Sequence, residues 1–303
     1  MKKSADMRLE GQANVNAYFQ TQSSFWNDIY SSSDVYAEIH QQRHAAILEW
    51  IDRLGLPPGS QALEIGCGAG FMSIELARRG FHVQAIDSVQ AMVELTRSHA
   101  LEAGVEEHLS VEVGDITALA YEQDAFDLTL AIGVIPWIER VGPAMQELAR
   151  VTRPGGYVIL TADNRARLNN LLDPWLNPMF APLKRAIKRM LMRAGLRRSS
   201  LKDVGATGHS RRFIDASLAR ADLRKNSSKT LGFGPFTLLR HAVLPKSLGV
   251  RLHHRLQQLA DRGAPILRST GAQYIVLAEK PMSSRRTQSI GAGSAASGDT
   301  QAL

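Results

Sequence analysis

The chain has 303 residues, 44% of them hydrophobic, which suits one large domain or a core with insertions. A single cysteine, Cys67, excludes a disulfide framework and a cysteine-based metal site. The net charge of +7 invites an anionic partner without naming one, and no apolar run is long enough to span a bilayer.

Residues 1–54 read as an N-terminal arm followed by a cap helix. The arm is rich in aromatic residues: Tyr18, Phe19, Phe25, Trp26 and Tyr30. It lacks an apolar leader stretch, so a cytoplasmic location is expected. The helix follows Ser33 and Asp34, either of which suits its N-cap, and carries Ala37, Ala46, Ile47, Trp50, Ile51 and Leu54 near one face. Residues 55–164 then alternate. The strands are "QALEI", "FHVQAID", "HLSVEVGD", "FDLTLAIG" and "YVILTADN". The intervening helices include one closed by Gly80 and one capped by Ser88 and closed by Gly104. Such alternation predicts a parallel sheet with helices on both faces, doubly wound by right-handed crossovers.

After Asn164 the rhythm breaks. Residues 165–204 form an insertion in which Leu183, Ile187, Met190, Leu191 and Leu196 alternate with Lys and Arg, a basic amphipathic pattern. A solvated helix face is one reading. The other is a surface for anionic lipid or a lipid-like substrate, centred on residues 181–198. Residues 205–280 return to the core, with a helix expected to be capped by Asp215, a strand at "SSKTLGF", a basic helix at 245–263 and a last strand, "AQYIVLAEK". The small, polar residues 281–303 read as a disordered tail.

The chemistry centres on "LEIGCGAG", residues 63–70. Gly66, Gly68 and Gly70 let the backbone turn beside a ligand at the carboxyl edge of the sheet. A dinucleotide loop wants its third glycine one place later, where this chain has Phe71. Glu64 before the loop suits an ammonium better than two phosphates. Asp87 ends the second strand, where a carboxylate accepts ribose hydroxyls. Asp115 ends the third and can receive an adenine amino group, with Ile116 beside it to pack on the ring. Together these residues describe a nucleoside with a cationic tail, S-adenosylmethionine.

This set resembles the class I S-adenosylmethionine-dependent methyltransferases, in the ubiquinone/menaquinone-type small-molecule subgroup. "LEIGCGAG", "QAIDSV", "VGDI", "FDLTLAIGVIPWI" and "ELARVTRPGGYVILT" resemble successive motifs of that family in order and spacing. The resemblance implies a doubly wound, seven-stranded, mostly parallel sheet (Rossmann-like methyltransferase fold), with the last strand antiparallel between the fifth and sixth. It also implies cofactor contacts from Arg43, for the carboxylate, and from Glu64, Gly66, Cys67, Gly68, Gly70, Asp87, Ser88, Met92, Asp115, Ile116, Ile132 and Gly133. Cys67 reads as a small buried filler, and no metal site is evident.

Tyr18, Trp26, Tyr30 and Trp137 are candidates for the substrate pocket and its lid. Trp137 stands where many relatives have a histidine, which removes the obvious base. His40, His44 and His209 remain as base candidates, each equally readable as an ordinary core or solvated histidine. Position alone can supply much of the rate of an in-line methyl displacement, so a catalytic residue is not required. Methyl transfer to a small or medium-sized hydrophobic metabolite is the expected function, with O-methylation first. C- or N-methylation of a secondary metabolite, quinone precursor or lipid-linked saccharide is the alternative. A non-catalytic scaffold of the same fold is the alternative of another class. The fourth motif lacks the Asn/Asp-Pro-Pro-aromatic grip on a flipped base, which disfavours nucleic acid.

Overall fold

The computed structural model describes residues 2–22, 26, 29, 32–180, 182, 184, 186–187, 190, 206–239 and 241–282. Tyr30, Phe25, most of the 181–205 stretch and the tail from 283 lie outside the described residues. Its centre is one seven-stranded sheet. β1 (Gln61–Ile65), β2 (His82–Asp87), β3 (Leu109–Val113), β4 (Phe126–Ala131) and β5 (Thr152–Asp163) run parallel. β6 (Arg224–Leu231) and β9 (Gln273–Glu279) complete it in the order β3-β2-β1-β4-β5-β9-β6. β9 is antiparallel to both of its neighbours. β7 (Thr237–Leu238) and β8 (His241–Ala242) form a separate hairpin.

Helices cover both faces because the central strands are apolar on both faces. Along β4, Leu128, Leu130 and Ala131 are fully buried, and so is Thr129, whose hydroxyl bonds Thr152 at 2.8 Å. α1 (Lys2–Thr21) and α2 (Val35–Leu54) precede the sheet. α3 (Phe71–Arg78), α4 (Gln90–Ala103) and α5 (Val141–Val151) are its crossovers. On α5, Ala144, Met145, Leu148 and Val151 have no exposed surface, and burying such a large aliphatic side chain contributes roughly 1.5–3 kcal/mol. α6 (Leu168–Leu172) starts the insertion, α7 (Arg211–Arg220) follows it, and α8 (Lys246–Asp261) lies against α2. A short turn of helix at Leu267–Thr270 leads into β9.

The termini of these elements correct several expectations. α2 is capped by Asp34, whose carboxylate accepts the Ala37 N–H at 2.9 Å. Ser88 does not cap α4: the helix starts after Val89, and the Asp87 carboxylate takes the Val89 N–H at 2.9 Å. Asp215 does not cap α7 either. Ser210 does, accepting the Phe213 N–H, while Asp215 lies within the helix and pairs with Lys225 and Tyr274. β5 begins at Thr152 rather than Tyr157, because Thr152 pairs with Phe126 and the strand continues through Gly155 and Gly156.

Candidate functional site

Strand order reverses between β1 and β4, and the cavity opens there, beyond the carboxyl ends of the strands. It encloses about 1200 Å³, part of it open to solvent. The glycine loop forms its floor. Gly66, Gly68 and Gly70 all have positive φ, at 70°, 56° and 81°. Two of them are also too crowded for a side chain. A Cβ on Gly66 would lie 2.3 Å from Val134 Cγ2, and one on Gly70 would lie 2.6 Å from Thr96 Cγ2. Gly66, Cys67 and Gly68 line the cavity; Gly70 lies behind it and starts α3. Cys67 is buried against Thr96, and burial pushes its thiol pKa up, so it is a filler rather than a nucleophile.

Three acids surround the loop. Glu64 is buried and accepts the Ser73 hydroxyl. Burial dominates its environment and pushes its pKa up to about 8. Asp87 receives the Gly68 N–H at 3.0 Å on one oxygen and the Val89 N–H on the other. Burial raises its pKa against the backbone N–H groups of Gly68, Val89 and Ser88, and the carboxylate keeps acceptor capacity for a further donor. Asp115 is exposed at the cavity's edge, with one oxygen taken by the N–H and hydroxyl of Thr117. Ser88, Met92, Ile116, Ile132 and Gly133 line the same space.

Arg43 enters from α2. It is 7% exposed, lines the cavity, and its Nε is buried without a hydrogen-bond partner among the described residues. A buried guanidinium left in this state is costly unless a ligand completes it. It therefore fits a carboxylate, and Glu64 stands near enough to feel its charge.

α1 closes the cavity from above. Asn16 exchanges hydrogen bonds with Ser88, at 3.2 Å to its carbonyl and 3.1 Å from its hydroxyl. Phe19 packs edge-on to Trp137 at 4.9 Å and against Trp26 at 5.8 Å, and all three line the cavity. Tyr18 does not line it: its ring stacks on Trp137 from outside, at 5.7 Å. The three histidines separate. His44 lines the cavity, and among the charges it feels are those of Glu75 on α3 and of Arg79 just past that helix's end. His40 is buried off the cavity, its Nδ1 facing the Tyr36 carbonyl, and burial with the Arg43 charge lowers its pKa to about 3. His209 sits by β5, behind the cavity wall.

Sequence reading missed two members of this neighbourhood. Asp163 ends β5, where burial raises its pKa against the opposing charges of Arg167 and Arg43. Tyr36 on α2 is 39% exposed, yet it feels Arg43, Asp163 and Arg167, and desolvation pushes its pKa up to about 12. The strand-end position of Asp163 was visible in "YVILTADN", but its partners come from elements far apart in sequence.

The sheet order and this cavity define the class I methyltransferase fold. Residues 63–160 match the methyltransferase domain family. A ubiquinone biosynthesis O-methyltransferase of Paracidovorax citrulli is 33% identical over 150 residues, 49% of this chain and 61% of that protein. The chain thus matches about three fifths of that relative's length. Among solved structures, the magnesium protoporphyrin IX methyltransferase of Synechocystis PCC 6803 superposes with a TM-score of 0.60 at 17% identity. That superposition covers 89% of this chain and 99% of the other. The [4+2]-cyclase SpnF gives a TM-score of 0.58 at 17% identity over 89% and 96% of the two chains. The same fold therefore carries both a methyltransferase and a cyclase, and the chemistry of this chain rests on its own site.

Proposed function

We propose that the chain binds S-adenosylmethionine in the β1–β4 cavity and transfers its methyl group to a hydroxyl of a hydrophobic metabolite. The observation that carries this reading is Arg43, a buried cation whose Nε has no partner among the described residues, beside Glu64 at the floor of a glycine-lined cavity. An amino-acid tail offers a carboxylate to the first and an ammonium to the second. Asp87 suits the ribose hydroxyls. Met92, Ile116 and Asp115 suit the adenine faces and amino group. When bound, the cofactor supplies a methyl group already activated by a positive sulfur. The residues of the chain bind and orient it, exclude water with Phe19, Trp26 and Trp137, and hold the acceptor in line.

An apolar acceptor suits the aromatic surface that Phe19, Trp26 and Trp137 contribute to the cavity. The name of the curated relative supports O-methylation of a quinone precursor; C- or N-methylation and other metabolites are the alternatives. A second reading has a specific basis. Leu171, Leu172, Trp175, Met179 and Phe180 are exposed next to the basic stretch that starts at Lys184. We infer that this face rests on an anionic membrane and draws a lipid-like acceptor from it. Co-sedimentation with phosphatidylglycerol vesicles, set against phosphatidylcholine vesicles, tests it; equal recovery with both contradicts it.

The main reading is tested with methyl-labelled S-adenosylmethionine and a panel of alkylcatechols, alkylphenols and quinols. Label in the organic extract, lost in Asp87→Ala, is expected. Tight binding of the cofactor with no transfer to any acceptor would favour the scaffold alternative.

A further inference from the structure

The β7–β8 hairpin turns apolar side chains to solvent in a part of the chain that the cofactor site does not use. Leu238, Leu239 and Val243 are each just over half exposed, and Leu248, in the first turn of α8, is 43% exposed. The tight turn between the two strands starts at Leu239, whose φ is 51°. A two-residue hairpin turn ordinarily takes Gly, Asn or Asp at a position of positive φ, because a Cβ is crowded there. A leucine held there, facing water, satisfies neither the local backbone preference nor the core. Such a break of local rules without a gain in packing marks a surface kept for something else.

Asp173 fixes this hairpin to the insertion. Its side chain is fully buried. One carboxylate oxygen accepts the Thr237 hydroxyl at 2.7 Å. The other accepts the Leu239 N–H at 3.0 Å and the Trp175 N–H at 2.8 Å. The Leu239 turn and the Trp175 turn thus meet at a single oxygen atom. Asn169 of α6 adds a bond to the Thr237 N–H at 3.3 Å, and the Lys184 ammonium closes the insertion turn on the Trp175 and Asn177 carbonyls. The apolar residues that the insertion exposes, among them Leu172 at 64% and Met179 at 83%, therefore belong to the same body as Leu238 and Leu239. An exposed apolar surface assembled from two segments in this way marks an interaction site.

Charge identifies the partner. Between Asp163 and Asp203 the only acid is Asp173, which is buried and spent on the hairpin. Between Asp222 and Asp261 there is no acid, while Arg240, Lys246, Arg251 and Arg255 fall in that stretch. Both segments thus offer apolar side chains and cations with no exposed carboxylate, the combination that suits an anionic bilayer. We propose that the β7–β8 hairpin is a second membrane-contacting element, with Leu238 and Leu239 entering an anionic bilayer beside Leu172, Trp175 and Met179. This rests on the membrane reading of the insertion and extends it to a segment some sixty residues further along the chain. Side chains on such a surface reach about 5–10 Å into the headgroup boundary. Asp173 holds the two segments at a common depth.

The test uses the fact that the one native cysteine, Cys67, is buried, so an introduced cysteine is the thiol that takes a label. Leu239→Cys, Met179→Cys and Leu101→Cys in the full chain each receive an environment-sensitive nitrobenzoxadiazole dye. Leu101 is an exposed control on α4, which packs on β3 at the opposite edge of the sheet from β6. With phosphatidylglycerol vesicles, emission at 239 and 179 should rise about twofold or more and be quenched by nitroxide-labelled lipid, as expected for side chains at the headgroup boundary. Phosphatidylcholine vesicles should give little change, and position 101 none with either. A response at 179 but not at 239 would overturn the proposal and leave the membrane reading of the insertion standing. No response at either position would overturn both. A response at 101 equal to that at 239 would overturn the proposal, and so would a shift at 239 that appears without vesicles as protein concentration rises, because a second copy would then cover the face. The double variant Leu238→Ser, Leu239→Ser should lower recovery with phosphatidylglycerol vesicles about tenfold while its melting temperature stays unchanged. Recovery equal to wild type would equally overturn the assignment.

Discussion

Replacing Arg43 with methionine separates a ligand-binding arginine from a structural one. Methionine keeps much of the stem's packing on α2 and removes the charge. If Arg43 grips the cofactor carboxylate, the variant loses a charge-assisted hydrogen bond worth about 1.5–3 kcal/mol. That corresponds to roughly a 10- to 150-fold weaker Kd. The ligand-free protein should behave in the opposite way. The Arg43 Nε is buried without a partner among the described residues, so its removal relieves a desolvation cost of about 1–3 kcal/mol. Melting of the free variant should therefore be unchanged or raised by a few degrees. Calorimetry with S-adenosylhomocysteine and thermal melting read the two effects independently. A variant that binds within twofold of wild type but melts several degrees lower would refute the reasoning, because Arg43 would then be part of the fold.

Three further outcomes follow from the same geometry. Gly66→Ala forces a Cβ to 2.3 Å from Val134 Cγ2 at a φ of 70°, so the melting temperature and cofactor affinity should both fall; unaltered values would contradict the loop's geometry. Asp87→Ala should weaken cofactor binding at least tenfold, whereas an unchanged Kd would remove the ribose assignment. Glu64 holds its proton in the fold up to about pH 8, whereas the unfolded chain releases it near the ordinary value of 4.5. Across that window the native state binds more protons, so its contribution to stability is full below pH 4.5 and lost as pH rises towards 8. Glu64→Gln should flatten this fall in urea denaturation measured at pH 5 and pH 8, and an unchanged slope would show that Glu64 is not its source.

The parallel core was legible because its strands are short apolar runs bounded by glycines and acids, and every one of them is present in the sheet. The cofactor cavity was legible for the same reason: Glu64, Gly66, Asp87 and Asp115 lie within or just past the ends of strands the pattern already marked. The lid was less so. α1 carries Val15, Tyr18 and Phe19 at helical spacing, but only three-dimensional packing shows that Phe19 faces the cavity while Tyr18 supports Trp137 from outside. Asp173 gave no signal at all. Its buried carboxylate accepts the Thr237 hydroxyl at 2.7 Å and the Leu239 N–H at 3.0 Å, tying the insertion to the β7–β8 hairpin across more than sixty residues. Asp163, His209 and Tyr36 were equally hidden as a group. A cluster assembled from β5, the segment before α7 and α2 has no sequence spacing to read.

Calorimetric titration of the intact, folded chain with S-adenosylhomocysteine tests the central claim most directly. Binding at one site per chain is predicted. Because the ligand's ammonium favours ionised Glu64, titrations in buffers of different ionisation enthalpy at pH 7 should also report a released proton. No heat in any buffer, with the protein shown to be folded, would contradict the account.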